Sequence, residues 1–193
     1  MRILLLLVVL AVAAGIAVWA FQRAKRANQP APPPVDPFRA DEGLVDPREI
    51  KVGDVLGIDG SDFVVRGTLR FDQSGFTWAE HFIDDVHNRR WLSVEDDEGL
   101  ELCLWERQPA ATVAPGPSEL EYAGVTYRLE EHGNAAFRSE GTTGTAPSGQ
   151  VEYFDYQAGD QRLAFEKFGT ESWEVSAGRV LGGREVQVFP TTA

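Results

Sequence analysis

The stretch Phe63-Val64-Val65-Arg66-Gly67-Thr68-Leu69-Arg70-Phe71 reads as a clean alternation. A period of two marks a β-strand, because successive side chains leave opposite faces of a sheet. It predicts Phe63, Val65, Leu69 and Phe71 on one face and Arg66, Thr68 and Arg70 on the other. Upstream, Ile58-Asp59-Gly60-Ser61-Asp62 supplies turn residues, and Gly60 suits the positive φ of a tight hairpin. Working outward, Val55–Ile58, Thr77–Ile83, Trp91–Glu95 and Glu101–Trp105 read as further strands separated by Gly, Asp and Asn clusters. After the first 26 residues, no stretch of about twelve residues has a 3.6-residue period, so this part is expected to be all-β.

The pattern restarts after Pro109–Pro117. Ile58-Asp59-Gly60-Ser61-Asp62-Phe63-Val64-Val65 aligns with Tyr122-Ala123-Gly124-Val125-Thr126-Tyr127-Arg128-Leu129. Trp78-Ala79-Glu80-His81-Phe82 then answers to Tyr153-Phe154-Asp155-Tyr156. Trp91-Leu92-Ser93-Val94-Glu95 answers to Arg162-Leu163-Ala164-Phe165-Glu166, and Trp105-Glu106 to Trp173-Glu174. Four landmarks in one order indicate an internal duplication of about 55 residues, each copy a five-strand meander. The expected units are residues 48–108 and 118–190, joined by a linker at 109–117. They would form two SH3-like small barrels or one joint sandwich. Units this small are marginal alone and are expected to pack on each other.

The net charge of −12 is unevenly spread. No acidic residue precedes Asp36, whereas Arg2, Arg23, Lys25 and Arg26 are basic, so residues 1–27 carry +4 and the remainder −16. That remainder is unsuited to nucleic acid, whose phosphates demand a basic surface. Ile3–Phe21 has no charged residue and spans about 28 Å as a helix, close to the hydrocarbon thickness of a bilayer. Residues 1–26 are therefore expected to be a single transmembrane anchor with a basic flank. Arg23, Lys25 and Arg26 point to a cytoplasmic C-terminal domain at a bacterial cytoplasmic membrane, with a protein partner in the same membrane system. Cleavage after Val18-Trp19-Ala20 would instead leave an extracytoplasmic domain. Residues 27–47 hold six prolines and read as an extended spacer.

Gly53-Asp54, Gly60-x-x-Phe63-x-Val65, Trp78-x-Glu80, Trp91-Leu92-x-Val94-Glu95, Tyr153, Leu163, Glu166 and Gly178 resemble the bacterial domain-of-unknown-function 4178 family. The resemblance covers roughly residues 50–190, as one copy or two. It implies a β-rich bacterial domain, in many members tied to membrane segments. It implies no activity, ligand or catalytic residue.

Chemistry is sparse. His81, Glu80, Asp84, Asp85 and His87 split between two strand faces, so no metal site is expected there. Glu95-Asp96-Asp97-Glu98-Gly99 lacks calcium-loop spacing and reads as a charged turn. Cys103 has no basic neighbour in sequence and reads as a packing residue. Gly141–Gly149 reads as a mobile loop with room for a binding role. Glu80 shares a face with Phe76, Trp78 and Phe82, and a carboxylate there must be paired, hydrogen-bonded or protonated. Arg66, Arg70, Arg128 or Arg162 are its expected partners, and those of Glu95 and Glu166. Trp78, Glu80, Trp91, Glu95, Tyr153, Glu166 and Trp173 are the candidate ligand-binding residues, and an acidic, aromatic surface suits a cation. No catalytic residue and no cofactor is assigned. Two readings follow: a non-enzymatic β module binding a partner protein or small cationic ligand, or a carboxylate-based hydrolase using Glu80 with Glu95 or Glu166. Carboxylates converging in a concave pocket would favour the second, and carboxylates tied to Arg or backbone amides the first.

Overall fold

The computed structural model describes residues 45–97 and 99–191; the expected anchor and most of the proline spacer lie outside them. Among the described residues, no helix is long and apolar enough to cross a membrane. A 3-10 turn at Pro47–Glu49 precedes eleven strands. The first half contains β1 (Val55–Ile58), β2 (Ser61–Gln73), β3 (Phe76–Asp84), β4 (Arg89–Asp96) and β5 (Leu100–Arg107). The second contains β6 (Glu119–Tyr122), β7 (Val125–Gly141), β8 (Ser148–Ala158), β9 (Gln161–Phe168), β10 (Glu174–Leu181) and β11 (Val186–Phe189).

Within each half the first five strands pair in sequence order, as two antiparallel meanders. The halves are not separate small barrels, and they are not the two faces of a sandwich. β2 pairs with β7 and β5 pairs with β10, closing β2-β3-β4-β5-β10-β9-β8-β7 into one eight-stranded barrel. Both seams join a strand to its own repeat equivalent, as a duplication related by a two-fold axis requires. Closure leaves no unpaired edge in the barrel, which neither meander achieves alone.

The two hairpins aligned by the repeat have the same turn. Asp59 and Gly60 have φ of 54° and 76°, and Ala123 and Gly124 have φ of 51° and 79°. Positive φ at both central residues matches the right-handed twist of the flanking strands.

The long strand β2 departs from the simple alternation expected of it. Its register on β3 shifts between Val65 and Gly67, so Arg66 is a bulged residue and the faces exchange there. Phe63 and Val65 pack with Leu56, Ile83, Leu92, Leu104 and Val188. Leu69 and Phe71, beyond the bulge, pack instead with Ala135, Phe137, Val151 and Phe168. β7 repeats the device at Glu130, the residue that aligns with Arg66, with a shift between Leu129 and Glu131. Tyr127 and Leu129 accordingly pack with Tyr156, Leu163 and Phe165, in a third cluster. Each meander thus covers one face with its own apolar core and turns the other toward the shared barrel interior. On β4, Leu92 and Val94 are buried in the outer core, while Trp91, Ser93 and Glu95 line the interior.

Two glycines let the seams close. Gly67 lies opposite Gly141, and a Cβ on Gly67 would stand 2.4 Å from the carbonyl oxygen of Thr142. Gly178 lies opposite Trp105, and its Cβ would meet the indole Cε3 at 2.4 Å and the Cys103 sulfur at 2.8 Å. The alanine variant G178A is expected to lose about 1–3 kcal/mol of stability by overpacking. G183A, where nothing lies within 4 Å of the added Cβ, should be near neutral. Denaturant unfolding of the two variants compares them directly.

Candidate functional site

The barrel interior is a cavity of about 610 Å³. Its inward positions follow from the two-residue period of the strands: Trp78 and Glu80 on β3, Tyr153 and Asp155 on β8, Glu95 on β4 and Glu166 on β9. The cross-strand register reproduces the sequence repeat. Glu80 sits opposite Ser93 and Asp155 opposite Ala164, and these are aligned positions in the two halves. Ten acidic side chains line the cavity against two arginines and no lysine.

Both arginines are engaged by other carboxylates. Arg162 bonds Glu101 at 3.1 Å and lies 3.9 Å from Glu130, and Arg107 pairs with Glu174. The other expected partners point elsewhere: Arg66 to Asp84, Arg70 to Glu140 and Arg128 to Glu119. None of the four reaches Glu80, Glu95 or Glu166. Among the described residues, these carboxylates are neither ion-paired nor tied to backbone amides. The sequence missed this because it shows that a strand carries Arg, not which side of a bulge the Arg occupies.

Burial and mutual repulsion act together on these groups. Burial raises the Glu80 carboxyl well above its ordinary value, with Glu166 and Asp155 adding like-charge repulsion and Trp78 partly offsetting it as a hydrogen-bond donor. Asp155 is raised well above the usual range by burial and by Glu166 and Glu131. Burial lifts Glu166 to about 7, opposed by the nearby Arg107 guanidinium. Burial also raises Glu95, with Glu131 and Glu101 contributing. Glu80, Asp155 and Glu166 retain some accessible surface because they face an internal cavity, yet protein surrounds them.

Aromatic rings hold the walls. Trp78 stacks on Phe71 with centroids 4.8 Å apart and meets Tyr153 edge-on at 5.7 Å. The Tyr153 hydroxyl donates to Glu131 at 2.7 Å and contacts Gln73. The Trp105 indole N–H donates to Ser93 Oγ at 2.9 Å, and Trp91 packs on Phe82.

Six of the seven candidate residues therefore share one lumen: Trp78, Glu80, Trp91, Glu95, Tyr153 and Glu166. Trp173 does not join them. It lies in the outer core, edge-on to Phe154 at 5.6 Å and under the Lys167 ammonium at 4.7 Å. Asp155 and Trp105 were not singled out, although the repeat aligns Asp155 with Glu80. Thr143 and Thr145 of the Gly-rich loop also line the cavity, linked by a 2.8 Å hydroxyl contact. Cys103 is buried, and burial pushes its thiol up, away from nucleophilic character.

The charged hairpin near His81 serves local structure. Asp85 accepts bonds from the His87 and Asn88 amides at 2.6 and 2.5 Å. His81 is buried on the outer face with its Nδ1 2.9 Å from Thr68 Oγ1, and burial, with Arg70, lowers its pKa to about 4. Among the described residues, no three His, Cys, Asp or Glu side chains are grouped to hold a metal ion.

The fold and site define a closed β-barrel with an acidic, aromatic interior. Residues 51–182 match the family described as Domain of unknown function (DUF4178), and the chain belongs to that family. The match runs through both halves, so the family unit is the whole barrel and not one repeat. Uncharacterised proteins of Mycobacterium bovis and Mycobacterium tuberculosis are each 34% identical over 198 residues, covering 96% of this chain and 96% of their own. No solved structure matches the chain.

The lumen makes a prediction about stability. A carboxyl whose folded pKa is raised binds its proton more tightly in the folded state. Its contribution is complete below the unfolded pKa and is lost as pH rises through the folded one. For Glu166 that window runs from 4.5 to about 7. Purified free of ligand, the barrel should therefore be less stable at pH 8 than at pH 5, by the order of 1 kcal/mol or more. Chemical denaturation across this range should show the fall, and Glu166→Gln should flatten it.

Proposed function

We propose that this protein is a membrane-tethered, non-enzymatic β module whose barrel interior binds a small organic cation. The observation that carries the reading is the group of lumen carboxylates, Glu80, Glu95, Asp155 and Glu166, which make no ion pair among the described residues. Carboxyls clustered in this way are protonated or repel one another, and an entering ammonium or guanidinium relieves both penalties. Trp78, Trp91 and Tyr153 add π faces, to which desolvated cations are attracted. The apolar run Ile3–Phe21 and the basic cluster Arg23, Lys25 and Arg26 support a tether that keeps the barrel at the cytoplasmic side of the membrane.

The convergence of carboxylates in a cavity also supports the hydrolase reading. Hydrolysis by a carboxylate pair needs their pKa values pushed apart, so that one is a proton donor while the other stays ionised. Here burial moves Glu80, Glu95, Asp155 and Glu166 in the same direction. Arg107 favours the ionised form of Glu166, but among the described residues none of the four carboxylates makes an ion pair, and a cluster of unpaired carboxylates favours binding over catalysis.

Calorimetric titration of the full chain in mild detergent with an alkylammonium ion and its neutral alcohol analogue tests the proposal. Binding of the cation alone is expected, at least about 10-fold tighter at pH 8 than at pH 6, because the carboxylates must ionise to receive it. Equal binding of the alcohol, or no cation binding at millimolar concentration, would overturn it. A periplasm-only reporter fused to the C-terminus should be inactive, and activity would reverse the proposed orientation.

A further inference from the structure

We infer that the lumen ligand carries two cationic centres, one for each half of the barrel. The inference rests on the cation-binding reading above and adds the number and arrangement of charges. It starts from the seams. Because β2 pairs with β7 and β5 with β10, the two meanders face each other across the interior as related copies.

The chemistry is duplicated with the backbone. In the first half, Trp78 and Glu80 alternate along β3, and Glu95 follows on β4. In the second, Tyr153 and Asp155 alternate along β8, and Glu166 follows on β9. Each half therefore presents an aromatic ring, a carboxylate two residues further along the same strand, and a second carboxylate on the next strand. Among the described residues, neither Asp155 nor Glu166 has an ion-pair partner, although both lie within the protein and face the cavity. A single ammonium carries one charge, against the four carboxylates Glu80, Glu95, Asp155 and Glu166 that the two halves turn to the cavity.

The cavity has room for more than one charge. At about 610 Å³ it falls in the ordinary range of small-molecule sites, far above the space one ammonium needs. A flexible apolar segment between the charges would lie against Leu69, Val151 and Phe168, which line the same cavity. The class indicated is a linear diamine or similar dication.

The test is a titration of the full chain at pH 8 with α,ω-diamines from 1,3-diaminopropane to 1,8-diaminooctane. Each is paired with the n-alkylamine of the same length. The best diamine is expected to bind about 10-fold or more tighter than its monoamine partner. Glu80→Gln and Asp155→Asn should each bring diamine affinity down toward the monoamine value. Both substitutions remove a repelled carboxylate, so the barrel should still fold at this pH, and a thermal melt checks it. If one variant fails to fold, the other still reads the effect. Equal affinity for diamine and monoamine would overturn this inference and leave the cation site standing. No amine binding would overturn both. Binding of a lysine-rich peptide in place of every diamine would overturn the dicationic small-molecule assignment.

Discussion

The two strand bulges govern the rest of the structure. A strand of regular pleat keeps one set of side chains on one face, so β2 could serve the outer core or the lumen but not both. The bulge at Arg66 exchanges the faces, and the one at Glu130 does the same in the other half. The first part of each long strand then folds over its own meander, and the second part enters the barrel wall. Without that exchange, each half would bury one face and expose the other. With it, the outer faces are sealed by apolar side chains and the inner faces are free to carry polar ones.

A barrel whose stability comes from outer cores can tolerate a costly interior. Leu56, Leu92, Tyr156, Leu163 and Phe165 are almost fully buried outside the lumen. The interior holds carboxylates that repel one another, a cost that a purely structural core would not retain. Under the proposed function, a ligand of opposite charge relieves this cost. The aromatic walls fit that role, because Trp78 is fixed by stacking on Phe71 and by its edge contact with Tyr153. Rigid rings presented to a cation lose little entropy on binding.

Much of the architecture was legible in the residues. Alternation gave the strands, and the positive φ at Asp59, Gly60, Ala123 and Gly124 matches the turns that Gly60 and Gly124 signalled. The duplication, read from four landmarks, placed Glu80 with Asp155 and Glu95 with Glu166 before any register was known. Closure into one barrel was not legible, because a hairpin pattern says nothing about which distant strand a meander's edge will meet. The bulges were hidden for a related reason: Phe63, Val65, Leu69 and Phe71 have the spacing of one uninterrupted face. The same bulge turned Arg66 away from the lumen carboxylates it was expected to neutralise. Trp173 was a candidate as an aromatic suited to a cation, but it precedes β10 and packs outside the wall. The anchor and its orientation fall on residues beyond those described.

The measurement that bears most directly on this account is the number of protons exchanged when a diamine binds. Calorimetry near pH 7 in two buffers of different ionisation enthalpy reads it. Lumen carboxyls that are protonated when empty and ionised when occupied must release protons on binding. Net release is expected, fading as pH rises and shrinking in Glu166→Gln. Binding without proton exchange, or with uptake, would contradict it.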